Sequence, residues 1–180
     1  SDVTYESVSG TSVARDFVEL PSQLYEHWLD QPEVLQKFAT HARTGEAMPH
    51  EMLEKVLKAA TFDMGFQTVE YIASALVDLE FHDGEPPADP MAKQAEVLAE
   101  IGMPQAIRMR HATPQFAHVF SGDGYSSAYY SYLWSEVKDA DAFAAFEEAG
   151  GAFDQERPAD LEAHNLPNGG HPAHGGAEPG

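Results

Sequence analysis

The chain has 180 residues, no cysteine, and 30 acidic against 10 basic side chains, for a formal net charge of -20. Without cysteine there is no disulfide scaffold, no thiol nucleophile and no cysteine-ligated zinc, so a metal would need His, Asp or Glu. The negative field repels phosphate backbones and anionic membrane surfaces, which excludes nucleic acid and membrane as expected partners.

No apolar run approaches the roughly 18 residues of a membrane span. A hydrophobic content of 43% suits one sizeable globular core. The acidic excess reads first as solubility or adaptation to salt, and second as attraction for cationic peptides. The chain opens abruptly on Ser1-Asp2-Val3, with neither initiator Met nor signal peptide, and is expected to be a fragment or a processed form.

Residues 1–8 read as an extended lead-in. A helix is predicted from Ser9 or Thr11 through Trp28, because Val13, Phe17, Leu20 and Leu24 recur three or four apart as an apolar stripe. Pro21 places a kink or a fresh first turn inside it. Asp30, Gln31 and Pro32 restart a helix with Val34, Leu35, Phe38 and His41 on one face, ended by Gly45. Pro49 opens another, with Met52, Leu53, Val56, Leu57 and Ala60 spaced for burial. A further helix is expected from about Gly65 to Phe81, with Phe66, Val69, Ile72, Leu76 and Leu79 on one side. Gly84 to Asp89 is a breaker-rich loop, and Asp89-Pro90 is a cap and first residue for a helix ending at Gly102. Met103 to Pro114 is irregular. Tyr125 to Lys138 reads as an aromatic-rich helix, and Asp139 or Asp141 caps a last helix stopping at Gly150. No strand pattern and no internal repeat is evident, so the fold class is all-α. Beyond about Phe153, Pro, Gly, His and acids dominate, and residues 156–180 are expected to be mostly disordered.

Two stretches could carry chemistry. On the first helix, Asp16 and Glu19 lie one turn apart and off the apolar stripe, a spacing that by itself makes them solvent-facing acids. In Phe116–Trp134, His118 precedes the loop Gly122-Asp123-Gly124, and Tyr125, Tyr129 and Tyr132 follow at intervals of four and three. If helical, those tyrosines share a face. Their hydroxyls could donate to a developing oxyanion, or the rings could simply form an aromatic core stripe. The nine histidines include no His-Glu-x-x-His. The nearest imitation, His50-Glu51-Met52-Leu53-Glu54, has Glu where the second His would stand and reads as chance. Glu26 and His27 read as half-buried structural residues. Arg108 and Arg110 could hold a peptide carboxylate, and His171 and His174 belong to the tail.

In order and spacing, Ser9–Gln23 (S-G-T-S-V-A-R-D-F-V-E-L-P-S-Q) and Phe116–Trp134 (F-A-H-V-F-S-G-D-G-Y-S-S-A-Y-Y-S-Y-L-W) resemble two consecutive segments of the thimet oligopeptidase and peptidyl-dipeptidase family of zinc metallopeptidases. The resemblance covers roughly residues 1–153. The R-D-F-V-E form and the Glu26-His27-Trp28 ending look more like the peptidyl-dipeptidases than like oligopeptidase A. It implies a multi-helix part of a zincin-type catalytic domain over residues 1–155, followed by the divergent tail 156–180. It implies one zinc ion per full-length protein, with Glu19 as the third ligand. The two histidine ligands and the general base would come from a His-Glu-x-x-His helix ending a few residues before Ser1. Tyr132 and His118 would contact the scissile peptide and its tetrahedral intermediate, and Tyr125 would close over it. Tyr129, Gly122 and Gly124 would complete the substrate-binding segment. Asp16 is read either as an acid that orients a metal ligand or as a solvent-facing acid paired with Arg15 or another base.

The expected function is therefore part of a zinc peptidase hydrolysing short peptides, cytoplasmic, and completed by a missing N-terminal part of the same protein. The isolated fragment is expected to be inactive, with an incomplete metal site. The alternative is a non-catalytic acidic helical module that keeps the fold and binds a partner.

Overall fold

The computed structural model describes residues 3–149, 151 and 153. Among these the chain is helical, with no strand and one isolated bridge between Thr40 and Ala47. It divides into two compact units, Ser1–Leu57 with Tyr132–Gly180, and Lys58–Ser131.

The first unit opens on a 3-10 turn, Glu6–Val8, followed by α1 (Arg15–Val18) and α2 (Leu20–Glu26), a 3-10 turn His27–Asp30, and α3 (Pro32–Phe38). The first helix begins at Arg15 and not at Ser9 or Thr11. Gly10 takes φ +62, and the Ser/Thr-rich run around it favours local turns over helix. The break expected at Pro21 is present: α1 ends and α2 begins around Glu19, with Pro21 in the first turn of α2. Pro32 likewise opens α3. That helix stops at Phe38, short of Gly45. Residues 39–48 form a tight turn closed by the amides of His41 and Met48, which donate to Glu46 and Ala39. Gly45, at φ +71, serves that turn and caps no helix.

The helix α4 (His50–Ala60) follows Pro49 as expected, but it buries only Leu53 fully and leaves Met52 and Val56 exposed. The last helix, α8 (Ser131–Ala149), runs without interruption past Asp139, which is buried and caps nothing. The core of this unit is Leu24, Phe143 and Phe146, with Trp28 and Ala142 packed on it. Trp28 meets Phe143 and Phe146 edge-on, at centroid distances of 5.1 and 5.0 Å, a geometry favoured by the ring quadrupoles.

In the second unit, α5 (Met64–His82) starts after Asp63, whose φ of +57 breaks the chain from α4. Its buried face is not the expected stripe. Phe66, Val69 and Leu79 are exposed, while Ala73, Ser74, Val77 and Asp78 are buried. The helix α6 (Pro90–Glu100) is capped as predicted: the Asp89 carboxylate accepts from the amides of Met91 and Ala92, each at 3.0 Å. From α6, the buried Gln94 accepts from the amide and hydroxyl of Thr113, at 2.8 and 2.9 Å. This fixes the 3-10 turn Thr113–Gln115, which leads into α7 (Ala117–Phe120). Val77, Val97, Met109, Phe116 and Val119 form the core, with Tyr125 and Tyr129 packed against it. Tyr125 to Ser131 is not the predicted start of an aromatic helix. Turns run from Gly124 to Tyr130, Ser127 takes φ +57, and helix begins only at Ser131. Gly150, the tail 156–180, and its His171 and His174 lie outside the described residues.

Candidate active site

In the first unit the bend between α1 and α2 sets the position of Glu19. Its carbonyl accepts from the amide of Gln23 at 2.9 Å and from the hydroxyl of Ser22 at 2.9 Å. The same hydroxyl lies 3.2 Å from Oε2 of the Glu19 carboxylate. The phenol of Tyr132, in the first turn of α8, donates to Oε1 at 3.2 Å. Gln23 adds a bond from its side-chain amide to the carbonyl of Tyr132, at 3.4 Å. Two residues singled out 113 positions apart in sequence thus meet side chain to side chain, at a half-buried carboxylate held on both oxygens by hydroxyl donors.

Asp16 is placed differently. Its carboxylate pairs with Lys138, and its carbonyl accepts from the buried hydroxyl of Ser135 at 2.8 Å. Its partner is therefore a base on α8, not Glu19. His27 stacks on Phe143 at 4.6 Å and puts Nε2 2.7 Å from Oδ1 of Asp139. Asp139 itself is only 3% exposed. Glu26 is exposed. Sequence reading missed Lys138 and Ser135, which look like ordinary polar residues on a helix, and gave Asp139 a capping role in place of its buried pairing with His27.

In the second unit the ring of His118, on α7, meets Tyr125 edge-on at 4.4 Å and Tyr129 edge-on at 5.5 Å. Tyr129 is stacked on Tyr71 at 5.2 Å and meets Phe116 edge-on at 5.0 Å. Burial raises the Tyr129 phenol above the ordinary tyrosine range; nearby Arg110 opposes the shift and Glu70 adds to it. His118, Tyr125 and Tyr129 are thus one aromatic cluster, although residues 125–130 are turns and not the helix on which Tyr125, Tyr129 and Tyr132 were expected to share a face. Gly122 and Gly124 are exposed, neither has positive φ, and a Cβ on either would meet nothing within 4 Å. The fold as it stands gives no steric reason for glycine there. Arg108 and Arg110 are exposed. The buried acid Asp78 was overlooked; its signal is an Asp inside the apolar run Ile72–Leu79, four residues before His82.

The donor set can be weighed against a metal. Glu19 offers one anionic oxygen ligand. Among the described residues no group of three or more His, Asp or Glu could hold an ion, so they do not by themselves make up a three-ligand zinc site. No helix among them is long and apolar enough to cross a membrane.

A sequence model for Peptidase family M3 matches residues 1–171, nearly the whole chain. The chain belongs to peptidase family M3. Among individual proteins, it is 38% identical to the dipeptidyl carboxypeptidase of Escherichia coli strain K12 over 152 residues, which are 82% of this chain and 22% of that protein. It is 42% identical over 151 residues to oligopeptidase A of the same organism, covering 79% of this chain and 22% of the relative. A probable cytosolic oligopeptidase A of Arabidopsis thaliana is 39% identical over 143 residues, 75% and 20% of the two chains. The chain spans about a fifth of the length of these curated relatives. Relatives of both kinds that the sequence suggested, dipeptidyl carboxypeptidase and oligopeptidase A, match the chain.

Proposed function

We propose that this chain forms part of a zinc-dependent peptidase acting on short peptides. In this reading Glu19 is one carboxylate arm of a metal site, and the remaining ligands and the general base come from sequence outside this chain. When bound, zinc would polarise a peptide carbonyl and activate water at neutral pH. The observation that carries the reading is the hydrogen bond from Tyr132 to Glu19. It puts a phenolic donor beside the one carboxylate that the family resemblance assigns to the metal.

The chain's own residues have distinct tasks. The hydroxyl of Ser22 and the phenol of Tyr132 orient the two oxygens of Glu19, as the partners of a metal-binding carboxylate do. A phenol next to the reacting carbonyl can also donate to the oxyanion that develops on it, and we assign that role to Tyr132. His118 and Tyr125, packed edge to face in the second unit, bind the peptide. His118 has a ring nitrogen to offer a carbonyl, and Tyr125 closes over it from the Gly122–Gly124 loop. Tyr129, edge-on to His118, steadies that ring. Asp16, paired with Lys138, holds α1 to α8 and so keeps Glu19 in register.

The test is to express the coding sequence extended to the length of the relatives and to assay it on short synthetic peptides. Hydrolysis abolished by a chelator and restored by zinc is expected, and cleavage of dipeptides from the C-terminus against internal cleavage would separate the two peptidase classes. An extended protein that binds no zinc and cleaves no peptide would overturn the reading in favour of a non-catalytic acidic binding module.

A further inference from the structure

The helix α5 presents a polar row within an otherwise apolar face. Tyr71 and Asp78 are two helical turns apart and therefore on one side of the helix. Asp78 is fully buried, at 0% exposure. Its Oδ1 accepts from the amide of Ser127 and its Oδ2 from the amide of Tyr129, both at 2.9 Å. Nδ1 of His82 lies 2.9 Å from the same Oδ1 and 2.8 Å from the Asp78 carbonyl. Tyr71 donates its hydroxyl to the carbonyl of Tyr129 and stacks on that ring. One helix face thus grips residues 127–129 by two amides and a carbonyl.

The first of the two clamped residues explains why such a grip is needed. Ser127 has φ +57, a region that non-glycine residues rarely occupy and that persists only where surroundings impose it. Without outside acceptors, the run from Tyr125 to Ser131 would satisfy its amides by joining α8 as regular helix, as its sequence pattern suggests. That would rebuild the backbone that carries Tyr125 and Tyr129, whose rings meet His118 from the present turns and not from a helix. A buried carboxylate is also a costly way to fill a core; Ala73 and Val77, buried on the same helix, show that apolar residues serve elsewhere on α5. The carboxylate's distinctive product is a fixed, non-helical turn.

We propose that Asp78 is a positioning residue for the peptide-binding segment: by accepting from the Ser127 and Tyr129 amides, it holds Tyr125 and Tyr129 against His118. The functional half of this inference rests on the reading of that segment given above. The structural half does not.

The first test uses the 180-residue chain. Replacing Asp78 by Asn keeps the shape but leaves one clamped amide facing an NH2 group. Amide exchange followed by NMR should then accelerate at Ser127 and Tyr129 on the order of ten- to a hundredfold, with Val97 and Phe143 unchanged. Unchanged exchange at both turn amides would overturn the clamp. Should the Asp78→Asn chain fail to fold, the wild-type chain still decides. A through-bond coupling from the Ser127 and Tyr129 amide nitrogens to Cγ of Asp78 is expected, and its absence overturns the clamp.

The second test uses the extended, zinc-loaded protein. Asp78→Asn should raise KM for a short peptide about tenfold with a smaller change in kcat. Combined with Tyr125→Ala, it should add little to the KM of Tyr125→Ala alone, since both act through one segment. A raised KM in Tyr125→Ala with none in Asp78→Asn, or fully additive effects, would overturn the positioning role. An unchanged KM in Tyr125→Ala would instead overturn the peptide-binding reading, and the exchange result would still judge the clamp by itself.

Discussion

The phenol of Tyr132 donates a hydrogen bond to Oε1 of Glu19 at 3.2 Å. This contact ties the first turn of α8 to the bend between α1 and α2, and it brings a candidate oxyanion donor to a candidate metal ligand. Removing the hydroxyl alone should therefore separate two functions. In the extended protein, Tyr132→Phe should lower kcat by roughly a hundredfold while KM changes far less, as expected of a donor used mainly in the transition state. Steady-state kinetics on a short peptide measures this. An unchanged kcat would remove Tyr132 from the oxyanion role.

The pair His27–Asp139 has a structural task. Asp139 is almost completely buried, and His27 meets its carboxylate through Nε2 while stacking on the ring of Phe143. Asp139→Ala deletes the acceptor and strands a half-buried imidazole beside the core of Leu24, Phe143 and Phe146. The expected loss is about 1–3 kcal/mol of stability, read from urea unfolding of the 180-residue chain. A midpoint equal to that of the wild type would show that the pair contributes nothing.

Tyr129 makes a prediction in alkaline solution. Burial raises its phenol above the ordinary value of 10.0, so the folded chain holds this proton more tightly than the unfolded chain does. Its contribution is fully present below about pH 10 and is lost as pH rises through the folded-state value. Tyr129→Phe has no proton to lose there. Its unfolding free energy should fall less steeply than the wild type's between about pH 10 and 12. Equal slopes would contradict the direction of the shift.

Much of the fold was legible because proline, glycine and capping residues act locally. Pro21, Pro32 and Asp89-Pro90 mark helix starts where they are found, and the apolar period of α5 gives its limits within a residue or so. The misreadings share a cause, which is that tertiary contacts override local pattern. Residues 125–130 have helical spacing, but Asp78 captures two of their amides. Asp139 looks like a cap on a helix start, but it is buried against His27 in the middle of α8. Phe66 and Val69 recur at core spacing, yet they are exposed.

The candidate site was legible in a different way. Spacing alone made Glu19 a solvent-facing acid, and no periodicity rule links it to a tyrosine on another helix. The family resemblance linked them, and the contact between their side chains is what the fold adds. For Asp16 the sequence left two readings, a support for a metal ligand or an acid paired with a base; its carboxylate pairs with Lys138, a base whose identity local sequence does not reveal.

The account stands most directly on Glu19 as a metal ligand. Zinc content of the extended protein, measured by elemental analysis after exhaustive dialysis, compares wild type with Glu19→Gln. The substitution keeps the size of the side chain and its hydrogen-bonding oxygen but removes the anionic ligand. The wild-type protein should retain about one zinc per chain and the variant far less, with its fold unchanged by circular dichroism. Equal zinc content in the two proteins would contradict the assignment.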